Sequence, residues 1–129
     1  MINEQKKEVT IFQDTYKLDN IEFIYTQDNN LVVCLKGKTK KYLCLDAPKT
    51  FRDVATMFIL SKFDNFVLLL TGNNIVNVNA IKNLKVEMDD LTIETNSHKR
   101  TIYNTGGFEY ICLKGKLPQK MNSEKDITK

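Results

Sequence analysis

The chain has 129 residues, 42% of them hydrophobic and 27% charged, with a formal net charge of +3. That length and balance suit one self-standing domain and exclude collagenous, low-complexity and wholly disordered classes. The longest apolar run, Phe66 to Leu70, is too short to span a bilayer, and the charged start Met1-Ile2-Asn3-Glu4-Gln5-Lys6-Lys7-Glu8 has no apolar signal core, so no membrane partner and no secretion are expected.

Along the chain, β-branched and aromatic residues recur in period two between turn signals, which is the strand signature. The first runs are Val9 to Phe12, Ile21 to Thr26, Leu31 to Leu35 and Lys41 to Leu45, with turns at Asp28-Asn29-Asn30 and Gly37. After Asp46-Ala47-Pro48 the period changes. Phe51, Val54, Ala55, Phe58 and Ile59 recur at helical spacing, which predicts a helix from about Pro48 to Ser61 with that stripe in the core. Pro48 suits a first helical turn, and Asp46 can accept from free backbone N–H groups. Strand runs resume at Phe66 to Leu70, Ile75 to Val78, Leu91 to Thr95, Arg100 to Tyr103 and Phe108 to Leu113. Their turns fall at Gly72-Asn73-Asn74, Asp89-Asp90, Asn96-Ser97 and Gly106-Gly107. Lys114 to Lys129, poor in apolar residues, reads as a frayed tail. The expected fold is mainly β with one α-helix.

Residues that could carry chemistry are few. The three cysteines leave an odd thiol, which fits a reducing cytoplasm better than a disulfide scaffold. A hairpin folded about Thr39 would set Leu35 against Leu43 and Cys34 against Cys44. No Cys-x-x-Cys spacing accompanies them, so buried structural thiols are expected, with no metal and no cofactor. His98, the single histidine, lies in a polar turn without a nucleophile frame. Asp89-Asp90 reads as a turn, and Gly106-Gly107 lacks the lysine of a phosphate-binding loop. No enzyme is expected.

Only Arg52 and Arg100 are arginines among 19 basic residues. The pI near 8.7 is lower than a strongly basic nucleic-acid binder would show. The stretch Lys36 to Lys41 nevertheless puts four lysines at a hairpin tip, suited to a solvated turn or to phosphate contact. Asn29-Asn30, Thr71 to Asn74 and Lys99 to Thr105 are polar turns between apolar runs. Their asparagines can pair with adenine in a major groove.

Ile21-Glu22-Phe23-Ile24-Tyr25, an Asn turn, a hairpin, an amphipathic helix and then Asn74-Ile75-Val76-Asn77-Val78-Asn79-Ala80-Ile81-Lys82-Asn83-Leu84 resemble the LytTR DNA-binding domain. The match is to that family's Tyr-Ile-Val-Asn core with a following Ile, carried here by Ile75-Val76-Asn77 and Ile81. It is looser for ComK-type competence regulators. The resemblance spans residues 20–113, leaving 1–19 as an N-terminal extension and 114–129 as a tail. It implies an elongated, mostly-β, stand-alone DNA-binding transcription regulator from a low-GC Gram-positive bacterium. Loops would enter the major groove of AT-rich double-stranded promoter DNA, with two copies pairing at repeat sites. Where the family usually carries Arg-x-His-Arg-Ser, this chain reads Leu69-Leu70-Thr71-Gly72-Asn73. Ile102-Tyr103-Asn104-Thr105 replaces an Arg-containing pair. The DNA-binding residues implied are therefore Asn29, Asn30, Lys36, Lys38, Lys40, Thr71, Asn73, Asn74, Lys99, Arg100, Asn104 and Thr105. The alternative is a LytTR-like module without DNA contacts that binds a protein partner such as another regulator.

Overall fold

The computed structural model describes residues 1–69, 73–105 and 107–117. Eleven strands, two α-helices and two single-turn 3-10 helices appear among them. The first three strands, β1 (Ile2–Asn3), β2 (Glu8–Ile11) and β3 (Asp14–Lys17), form an antiparallel sheet in the order β1-β2-β3. Next come β4 (Ile21–Gln27), β5 (Asn30–Leu35), β6 (Lys38–Leu43) and helix α1 (Ala47–Leu60), followed by β7 (Phe66–Leu69) and β8 (Asn74–Asn77). These five strands make the central antiparallel sheet, ordered β6-β5-β4-β8-β7. A third sheet joins β9 (Ile81–Glu87), β10 (Asp90–Thr95) and β11 (Lys99–Ile102) in the order β11-β10-β9, and α2 (Phe108–Lys114) follows it.

The central sheet divides two cores, because successive side chains of a strand point to opposite faces. On β5, Leu31, Val33 and Leu35 join one cluster with Val9, Ile11, Leu18 and the α1 stripe. Val32 and Cys34 join the other, with Leu84, Leu91, Ile93, Ile102, Leu113 and Leu117. A strand covered on both faces reads as a continuous apolar run, and Leu31-Val32-Val33-Cys34-Leu35 is one. Burying each such aliphatic side chain contributes about 1.5–3 kcal/mol. The first nineteen residues thus supply core through Val9, Ile11 and Leu18.

Helix α1 starts where Asp46 caps it, Oδ1 accepting from the Lys49 N–H at 3.2 Å, with Pro48 in the first turn. Phe51, Val54, Ala55 and Phe58 are buried as expected, but Ile59 is 63% exposed. At 3.6 residues per turn Ile59 lies about 80° round from Phe51, on the solvent side of the stripe.

Three other expectations are corrected. Phe108 to Leu113 is not a strand but the core of α2, begun at Gly107 with φ +82° and burying Glu109 and Leu113 one turn apart. The β5–β6 hairpin turns at Lys36-Gly37 and not about Thr39: Gly37 takes φ +77°, Leu35 pairs with Lys38 and Cys34 with Thr39. Cys34 and Cys44 are therefore not opposed, and they sit in the two different clusters. The expected tail is ordered as far as Leu117, which is buried; residues 118–129 lie outside the described residues. No described helix is long and apolar enough to cross a membrane.

Candidate nucleic-acid interface

Strand register sorts the expected site residues onto two ends of the central sheet. At one end Gln27 pairs with Asn30 across the Asp28-Asn29 turn, and Tyr25 pairs with Asn74, so Asn29, Asn30, Asn73 and Asn74 lie together. Asp28 and Asn73 adopt φ of 54° and 52°, the left-handed region that Asp and Asn tolerate. The Cys44 N–H donates to the Asn29 carbonyl at 2.8 Å, which brings the exposed Leu43 and Leu45 beside this turn. Thr71 lies outside the described residues.

At the other end two turns that are distant in sequence meet. The Gly37 N–H donates to Ser97 Oγ at 2.9 Å. His98 Nε2 lies 2.6 Å from the Leu35 carbonyl oxygen and 3.2 Å from that of Lys38. A carbonyl can only accept, so Nε2 carries the hydrogen. Lys36 and Lys38 are thereby held beside the turn that leads into exposed Lys99. Lys40, further along edge strand β6, sets its Nζ 3.6 Å from Asp14 of β3. The Tyr42 hydroxyl also donates to Asp14, at 2.5 Å, and bonds to the Tyr16 hydroxyl, tying the first sheet to β6.

Three expected contacts prove to be internal. Asn74 is fully buried, and its Oδ1 accepts from Arg100 Nε at 2.5 Å. The Arg100 guanidinium stacks 3.5 Å from the Tyr25 ring centroid, and burial draws its pKa below the usual value. These residues join β11 to β4 and β8, since Arg100 shares the inward face of β11 with Ile102. Thr105 is also buried; its N–H donates to the Asp89 carbonyl at 2.8 Å and its hydroxyl accepts from Gly107. A polar residue in a turn therefore does not by itself mean a solvent-facing one. Asn104, φ +59°, stays exposed next to Asp90, whose Oδ1 accepts its N–H.

Sequence reasoning passed over the part His98 and Ser97 play in joining the sheets, and it missed Lys17, which faces the lysine turn across a cleft. The only sequence signal for Lys17 was its place in Asp14-Thr15-Tyr16-Lys17, a run with too little apolar content to register as a strand. Among the described residues no group of three or more His, Cys, Asp or Glu could hold a metal ion.

No protein-family model matches the chain, and no curated protein matches it by sequence. Among solved structures, a LytTr DNA-binding domain from Bacillus cereus superposes with a TM-score of 0.57 at 14% identity, covering 84% of this chain and 94% of that one. The mainly-β architecture with one long helix, the two-faced central sheet and this superposition together make the fold LytTR-like.

Proposed function

We propose that the protein is a DNA-binding transcription regulator. The observation that carries this reading is the likeness of most of the chain to a domain described as DNA-binding. The lysine end supports it further: Lys36, Lys38 and Lys99 present exposed ammonium groups on turns fixed to one another through Ser97 and His98, and rigid cations suit phosphate contact. The asparagine end offers exposed Asn29 and half-buried Asn73 as adenine-pairing groups, which favours AT-rich promoter DNA. Asn104, exposed, is a third reader. Asn74, Arg100 and Thr105 are left out of this reading because their side chains are engaged inside the fold. Strand β4 has seven residues, so the two ends stand about 20 Å apart before the turns are counted. Lysines would hold backbone on one turn of duplex while asparagines read the next.

The test is fluorescence anisotropy on AT-rich and GC-rich duplexes, from about 50 to 200 mM salt. Tighter AT-rich binding that falls steeply with salt is expected. Lys36→Gln, Lys38→Gln and Lys99→Gln should each weaken both duplexes alike and flatten the salt slope by about one, whereas Asn29→Ala, Asn73→Ala or Asn104→Ala should relax base preference by about 1–3 kcal/mol. Absence of binding to any duplex at the lowest salt overturns the reading. It leaves the protein-partner alternative, which exposed Leu43 and Leu45 beside the Asn29 turn favour.

A further inference from the structure

Four lysines of the chain converge on one cleft. A cleft of about 500 Å³ opens between β3 and the β5–β6 hairpin, and Lys17, Lys36, Lys38 and Lys40 line it against a single carboxylate, Asp14. Of the four, Lys17 is paired with Glu8 of β2 at 2.8 Å, which leaves a local surplus of two. The one carboxylate is already occupied, accepting from Tyr42 at 2.5 Å and lying 3.6 Å from Lys40. Lys36 and Lys38 have no carboxylate within ion-pair distance among the described residues. Cations converging in a concave wall focus a positive potential on a bound anion.

We propose that this cleft binds a free, phosphate-rich small molecule of the nucleoside triphosphate or short polyphosphate class. Lys36 and Lys38, the two lining lysines without an ion-pair partner among the described residues, suit adjacent phosphates, and the volume falls in the range of small-molecule sites. The polyphosphate meets Lys17 from the first sheet and Lys36 and Lys38 from the hairpin, while Leu35 and Tyr16 offer an apolar wall to a base. A duplex is too wide a rod to enter a concavity of this volume. Its backbone meets the same hairpin from outside. The assignment does not rest on the DNA reading.

Titration calorimetry on the full chain at about 50 mM salt tests it, with sodium triphosphate, ATP and adenosine as probes. Triphosphate and ATP should bind at a single site and adenosine should not; binding by ATP alone would identify a nucleotide, and equal binding by both a polyphosphate. Lys17→Gln and Lys38→Gln should each weaken binding about tenfold, the effect of losing one charge-assisted bond. Lys17→Arg should restore it, with far-UV circular dichroism confirming the fold. Lys49→Gln, which breaks the Lys49–Asp53 pair on α1, should change nothing. No heat from either phosphate probe overturns the proposal, as does an equal loss in Lys49→Gln. Duplex binding should survive Lys17→Gln; a loss matching that of triphosphate assigns the cleft to DNA backbone instead. A protein that binds triphosphate but no duplex refutes the DNA reading alone.

Discussion

The Nε2–H of His98 donates to the Leu35 carbonyl oxygen at 2.6 Å, so a turn of the third sheet is bolted to the end of the central one. Its side chain is only 17% exposed, and Lys38 O shares the same hydrogen at 3.2 Å. Nearby, the Thr95 hydroxyl donates to buried Glu22 at 2.5 Å, a second polar tie between the sheets. His98→Ala removes the bolt and should cost about 1–2 kcal/mol, seen as a lower urea midpoint with unchanged slope. A midpoint equal to wild type would contradict the structural role.

Phe58 and Ile59 are neighbours on α1 with opposite fates. Phe58 is 5% exposed and packs its ring 4.7 Å from that of Phe66, whereas Ile59 is 63% exposed. Phe58→Ala should cost about 3–5 kcal/mol through the cavity it leaves. Ile59→Ala should stay within about 0.5 kcal/mol of wild type. Equal losses would mean the helix is turned differently on the sheet.

Lys99 and Arg100 separate in the same way. Arg100→Ala breaks a charged hydrogen bond to Asn74 and a cation–π contact with Tyr25, a loss of about 2–4 kcal/mol. Lys99→Ala touches only an exposed ammonium and should leave the melting temperature nearly unchanged. Thermal scans of the two variants side by side decide the matter.

The three thiols should react in order of exposure. Cys112 is exposed, while Cys34 and Cys44 are buried and burial pushes the Cys34 thiol above its usual pKa. A chromogenic disulfide reagent should label one thiol rapidly in native protein and the other two only on unfolding. Rapid labelling of all three would show that the cores are open.

Acid should loosen the first sheet. The Tyr42 hydroxyl bond, with smaller help from Lys40, holds the Asp14 carboxyl below its ordinary 3.8 despite opposing desolvation, and a bond from Lys17 lowers Glu8 from 4.5. Both carboxylates are more acidic folded than unfolded. Their contribution is complete above those ordinary values and is lost as pH falls through the lower folded ones. Tyrosine NMR signals of Tyr16 and Tyr42 should shift in that window, and Asp14→Asn should remove the Asp14 part of the shift. An unchanged acid profile in Asp14→Asn would refute the coupling.

How much of this was legible depends on burial. Strand β5 and helix α1 were plain in the sequence, because Leu31 to Leu35 and the Phe51 to Phe58 stripe are bound to the two cores. Strand β3 alternates in burial but has Tyr16 as its one apolar residue, half-buried, and β9 buries only Ile81 and Leu84, at helix-like spacing; neither writes an apolar alternation, and both were missed. Strand β6 is an edge strand whose lysines guard it against pairing with another chain, so its register left no apolar trace and the turn was set two residues too late. In Phe108 to Leu113 the aromatic and β-branched residues imitated a strand, while the packing of Leu113 at the end of the third sheet chose a helix. Of the site, the lysine hairpin was visible and its docking onto Ser97 and His98 was not, since contacts across some sixty positions leave no local pattern.

Val9, Ile11 and Leu18 pack into the same core as Ile24, Val33 and Phe51, ahead of the point where the LytTR-like pattern begins. The unit that folds is consequently larger than the unit that can be recognised. A fragment starting at Asn20 would bare one face of the central sheet and one side of α1 to water, and it should bind hydrophobic dyes and lose fixed tertiary packing while keeping much of its strand content. In the intact chain the amides of β2 should exchange with solvent only as slowly as those of β4, the two opening together as a single cooperative block.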